Sequence, residues 1–120
     1  MAISEISHQG KNVILVDYSE CKKKQQMLDL AYELTDYLLA KPEKHFLILF
    51  DYTDAFLSSD FMKVAKEGRA KIYQTKTARA AALGVTGIKK VLLKGYNALS
   101  KGEGIQMFDT KEQALNYLVQ

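Results

Sequence analysis

Apolar residues recur along the chain at two alternating spacings, and those spacings place its elements. Residues 12–18, NVILVDY, form a β-branched run of the length of a buried strand, with residues 3–7 as a shorter strand ahead of it. Gln9-Gly10-Lys11 between them is a turn signal. Over residues 22–40, Met27, Leu30, Ala31, Leu34 and Leu38 fall at steps of three and four, on one helical stripe. Lys23, Gln26, Asp29, Glu33 and Asp36 fall largely on the wet side. Pro42 ends this helix, because proline has no amide donor and pushes the preceding residue out of helical geometry. Residues 44–52, KHFLILFDY, predict a central strand buried on both faces.

Ser58 or Ser59 is placed to cap the next helix, with Asp60 favourably near its positive end. Phe61, Val64, Ala65, Gly68 and Ile72 form its stripe, and it runs to about residue 74. Residues 78–85, ARAAALGV, are ambiguous by composition, but their place between two helical patterns and before Thr86-Gly87 predicts a strand. Ile88, Val91, Leu92 and Leu99 mark a third helix, with Gly95 expected on its packed side and Lys101-Gly102 as its stop. Residues 105–108 read as a short strand, and Thr110 with Gln113 has the capping-box pattern for a last helix carrying Ala114, Leu115 and Leu118.

The order β-β-α-β-α-β-α-β-α predicts an α/β fold: a mostly parallel central sheet, an antiparallel N-terminal edge strand and four helices on the sheet faces. A chain of 120 residues suits one domain spanning 1–120. Ile14, Val16, Leu47, Ile48 and Leu49 are the expected core of its inner strands.

Three segments carry a family resemblance: the buried strand leading into Asp51-Tyr52-Thr53-Asp54, the run Ala82-Leu83-Gly84-Val85-Thr86-Gly87-Ile88-Lys89-Lys90, and the ending Phe108-Asp109-Thr110-Lys111-Glu112-Gln113-Ala114. In this order of elements the chain resembles the STAS, or anti-sigma-factor-antagonist-like, domains, particularly their small bacterial members. The resemblance implies a regulatory domain that binds a protein partner. It also implies a phosphoacceptor serine at the start of the helix after the central strand, where Ser58 and Ser59 stand. The family pattern follows that serine closely with glycine, whereas this chain reads Leu57-Ser58-Ser59-Asp60-Phe61. The fold is also similar to that of CRAL-TRIO lipid-carrying domains, which implies an apolar ligand as an alternative.

Composition narrows the partner classes. Seventeen Lys+Arg against fourteen Asp+Glu give a net charge of +3, too weak a field to indicate nucleic acid. The longest uncharged apolar run, residues 46–50, is far below the roughly 18 to 20 residues of a membrane span. The start of the chain has no secretory pattern and Cys21 has no partner for an internal disulfide, so a cytoplasmic location is expected.

Candidate chemistry is sparse. Asp51 and Asp54 follow the central strand, where open α/β sheets gather functional groups; they suit metal binding or proton transfer, or simply the capping of a turn. His8 and His45 lack metal-ligand spacing, and Cys21 reads as an inert thiol or, at a helix start, a partial thiolate. No metal or cofactor is expected. Gly84, Thr86, Gly87 and Lys89 form a weak anion-binding candidate that equally reads as a tight turn. The lysines and arginines, Lys76 and Arg79 included, read as a solvated surface. Tyr18, Tyr52, Tyr73 and Tyr96 read as boundary residues or as the wall of a ligand pocket.

Three functions stand on these readings. The first is a non-catalytic regulatory or protein-interaction domain whose face includes Asp51, Tyr52, Asp54, Phe56 and Phe61, with a homodimer compatible. The second is a small apolar-ligand domain, motivated by the alanine-rich strand and separable by a deep apolar cavity. The third is an enzyme using Asp51 or Asp54.

Overall fold

The computed structural model describes residues 2–99 and 104–120. In chain order it has β1 (Ile3–His8), β2 (Lys11–Asp17), α1 (Lys24–Ala40), β3 (His45–Asp51), α2 (Ser59–Tyr73), β4 (Thr77–Leu83), α3 (Ile88–Leu99), β5 (Ile105–Met107) and α4 (Lys111–Leu118). The strands lie in the order β1-β2-β3-β4-β5; β1 pairs antiparallel with β2 and every other pairing is parallel. This is the α/β fold read from the spacing.

The hairpin that starts the sheet turns on Gln9 and Gly10, whose φ values of 51° and 77° are both positive. A two-residue connection between right-twisted strands requires that backbone, and it fixes Ile3 opposite Val16 and Ile6 opposite Val13.

Side-chain alternation then divides the sheet into two dry faces. Ile14, Val16, Phe46, Ile48, Phe50, Ala80 and Ala82 point to a large core closed by Met27, Leu30, Ala31, Leu34 and Leu38 of α1, Phe61, Met62 and Ile72 of α2, and Leu93 and Tyr96 of α3. Val13, Leu49 and Ala81 point the other way, against Ala114, Leu115 and Leu118 of α4, with Leu15 and Leu47 packed alongside. Three helices thus cover one face and one helix covers the other. All five expected core residues take part.

Helix ends follow local chemistry. The Gln26 side chain accepts from the backbone amides of Lys22 (2.8 Å) and Lys23 (3.1 Å) at the start of α1. Ser58, rather than Ser59, caps α2, its hydroxyl accepting from Phe61 N at 3.1 Å. Thr110 caps α4 by accepting from Gln113 N at 3.2 Å.

Three expectations change. On α3, Ile88 and Val91 face solvent; Leu92 packs against the core as expected, and the fully buried positions are Leu93 and Tyr96. Gly95 is exposed with open space around it, so it serves no close packing. Lys76 is buried: its ammonium donates to the carbonyls of Lys41 and of Glu43 (2.9 Å), where Pro42 interrupts regular bonding in the α1–β3 connection. The expected stop at Lys101-Gly102 lies outside the described residues.

Candidate functional site

Parallel strands deliver their following residues to one end of the sheet. β2 and β3 finish side by side, Asp17 paired with Asp51, so Tyr18 and Tyr52 emerge as neighbours. Tyr18 N donates to Asp51 O and Tyr52 N to Leu83 O, both at 2.9 Å, which extends the ladder one residue past the strands. The two rings lie 5.2 Å apart and Phe61 meets both edge-on, at 5.2 Å from Tyr18 and 6.1 Å from Tyr52. Phe50 stacks on Tyr52 at 5.6 Å.

Above this aromatic floor the β3–α2 connection is held in place by the β4–α3 connection. Gly84 has φ +73°, and a Cβ there would sit 2.4 Å from Thr53 N and 2.5 Å from Thr53 Cα. Only glycine allows that approach. The Lys89 ammonium donates to Tyr52 O (3.0 Å) and to Gly84 O (3.1 Å), tying both connections together. Of the anion-binding candidate, Thr86 and Gly87 are exposed, and the Lys89 charge is directed at these two carbonyls.

The expected face is split by this arrangement. Tyr52 and Phe61 turn inward and are fully buried. Asp51 is half-buried and accepts from Thr53 N at 3.0 Å, a local turn bond. Asp54 is exposed in a positive-φ turn, φ 56°. Between buried Ala55 and Leu57, Phe56 is held outward with 53% of its surface exposed. Ile88 at 71% and Val91 at 63% exposure stand at the start of α3, at the same end of the sheet. These two were not legible as surface residues, because their spacing also fits a packed stripe. Lys90 and Lys94 are exposed beside them on the same helix.

Ser58 is half-buried as the α2 cap, and Ser59 is exposed in the first turn. Asp60 pairs with Lys24 of α1, whose ammonium holds the Asp60 carboxyl below its usual range. Cys21 is half-buried, and burial, then the nearby Asp17 carboxylate, pushes its thiol pKa up, away from thiolate character and in the direction of the inert-thiol reading. His8 contacts Asn116 Oδ1 at 2.9 Å and His45 contacts Thr77 Oγ1 at 2.7 Å, both on the surface. Arg79 lies over the Tyr117 ring at 4.1 Å, so with Lys76 and Lys89 it folds against the protein rather than into water. No group of three or more His, Cys, Asp or Glu residues is gathered for a metal ion among the described residues. No helix among them is long and apolar enough to cross a membrane.

Beneath the aromatic floor, between the sheet and α1, α2 and α3, lies a cavity of about 60 Å³. Its walls explain it. Ala78 and Ala80 of β4 and Ala65 of α2 line it, where bulkier residues would fill the layer. Tyr18, Tyr52, Phe61 and Tyr96 line it too. The alanine-rich strand thus leaves space where an apolar-ligand reading expected it.

No protein-family model matches the chain, and no curated protein matches it either.

Proposed function

We propose that this chain is a non-catalytic regulatory module of the STAS kind that binds a protein partner with the end of the sheet bearing residues 52–58 and the start of α3. The observation that carries this reading is the display of Phe56 on the β3–α2 connection and of Ile88 and Val91 at the start of α3, where the two connections are locked together through Gly84 and Lys89. Large apolar side chains held rigidly in water lose little freedom when a partner covers them, which is the economy of an interface anchor. Lys90 and Lys94 beside them favour a partner whose apolar patch has an acidic rim. Ser58 and Ser59 stand at the edge of the same surface, so a phosphate on either would alter its charge without entering the core. A reducing cytoplasm suits the unpaired Cys21 thiol and belongs to the same proposal.

The test is capture of the partner by untagged protein purified from its own cells, read by native mass spectrometry, and repeated with a Phe56→Ser/Val91→Lys double variant. Both positions are exposed, so the variant is expected to fold as the parent does and to bind the partner at least tenfold more weakly. Undiminished binding by the double variant would refute the assigned face.

A further inference from the structure

The cavity behind the aromatic floor has features of a site rather than of a packing flaw. Tyr18 and Tyr52 each keep only 1% of their surface accessible, and both line the cavity. Among the described residues neither hydroxyl makes a hydrogen bond, and neither is wholly shut off from space that a small molecule can reach. Two such groups beside each other are unusual, because a buried polar group is nearly always paired with protein, water or ligand. The remaining wall is mostly apolar, with Thr35, Tyr73 and Tyr96 adding further hydroxyl-bearing side chains. Its one cation, Arg69, lies over the Tyr73 ring at 4.3 Å, eight residues along α2 from Phe61 and so about 12 Å away along the helix axis.

We infer that this cavity binds a small neutral molecule, mostly apolar and carrying one hydroxyl or carbonyl group, held by the hydroxyls of Tyr18 and Tyr52. The volume sets the size: one water needs about 10–15 Å³ of such space, so about 60 Å³ admits roughly four to six heavy atoms. The tyrosine end sets the polarity. Burial pushes the pKa of both hydroxyls up, so they stay protonated and able to donate. Neutrality follows from the walls: no carboxylate lines the cavity to pair an ammonium, and the Arg69 guanidinium is already engaged over the Tyr73 ring, so a bound charge would lose its hydration without full replacement. The site lies behind the proposed partner face and is independent of it: a chain with no partner would still bind the molecule.

Propan-1-ol and propanoate share one carbon chain and separate these terms. Amide and methyl chemical shifts are followed while each is titrated into the full chain at pH 7. Propan-1-ol is expected to give saturable shifts centred on residues of the cavity wall, with propanoate at least tenfold weaker. In the Tyr18→Phe/Tyr52→Phe variant, which removes only the two oxygens, propan-1-ol binding is expected to weaken about fivefold, the worth of one hydrogen bond. Ala80→Leu, which fills the space, is expected to abolish binding. The tyrosine variant carries the test if the filled variant does not fold. Equal binding of propanoate, unchanged affinity without the two hydroxyls, or shifts that never saturate would each overturn the assignment. Absence of any binding would mean that water alone satisfies the hydroxyls, and would overturn it as well.

Discussion

Replacing Gly84 by alanine tests the joint that positions the whole candidate face. Two penalties add at this residue. The first is conformational: at φ +73° an alanine occupies left-handed backbone, which costs about 1–2 kcal/mol. The second is steric. The new Cβ would lie 2.4 Å from Thr53 N and 2.5 Å from Thr53 Cα, and backbone atoms cannot rotate aside as a side chain would. Forcing the two connections apart resembles overpacking a core, at about 1–3 kcal/mol. The expected total is about 2–5 kcal/mol. Gly87 supplies the control, because it has φ +57° with nothing within 4 Å of an added Cβ and therefore bears the conformational penalty alone. Urea unfolding of Gly84→Ala and Gly87→Ala, followed by circular dichroism, gives the comparison directly. Gly84→Ala is expected to be less stable than Gly87→Ala by about 1–3 kcal/mol at similar m values. A difference below about 0.5 kcal/mol, the scatter of ordinary surface substitutions, would refute the claim that Gly84 clamps the β3–α2 connection.

Other outcomes follow from the same geometry. Ser58→Ala is expected to cost about 1 kcal/mol by removing the α2 cap, while Ser58→Asp keeps most of that stability; equal losses from both in thermal unfolding would argue against the cap. Ser59→Asp is expected to leave stability nearly unchanged and to change partner capture, whereas unaltered capture would remove Ser59 from the regulatory surface. Lys76→Met is expected to cost about 1–3 kcal/mol in urea, because the carbonyls of Lys41 and Glu43 lose their buried donor. Glu5 is held at a pKa of about 2 by hydrogen bonds from Lys41, then Tyr37 and Asn12. A depressed carboxylate pKa stabilises the fold above the unfolded value of 4.5, and the contribution fades as pH falls from there towards about 2. The cluster is solvent-screened, so wild type is expected to exceed Glu5→Gln by about 1 kcal/mol at most at pH 7, and the gap is expected to close by pH 2; a gap independent of pH would contradict the ion cluster.

Much of the architecture was legible because it rests on local rules. The inward residues of β2 and β3 follow from β-branched and aromatic runs, α1 stops at Pro42, and Thr110 starts α4, each a matter of nearest neighbours. What sequence could not resolve was direction. On α3, Ile88 and Val91 lie at one phase and Leu93 and Tyr96 at another, and both phases are apolar. Periodicity finds such a helix without saying which phase meets the sheet; that is decided by the neighbouring α2 and by the short β5. The same limit hid the split of the candidate face, since Phe56 and Phe61 do not differ as residue types and are sorted by the burial of Ala55 and Leu57 around one and the start of α2 at the other. Lys76 was misread for a related reason: its carbonyl partners lie more than thirty residues away in sequence. The cavity was foreshadowed by the alanines of β4, but the two tyrosines side by side on its wall depend on the parallel pairing of β2 with β3.

Site-specific photo-crosslinking tests the central claim, a protein partner seated on the displayed apolar residues. A benzophenone side chain is placed in turn at Phe56, at Val91 and, as a control on the opposite sheet face, at Glu112 of α4, and the cells that make the protein are irradiated. The expected result is one discrete adduct, the same protein from Phe56 and Val91, and none from Glu112; a second copy of this chain in that adduct would identify a homodimer. Adducts that are absent at Phe56 and Val91, or equally frequent at Glu112, would contradict the account.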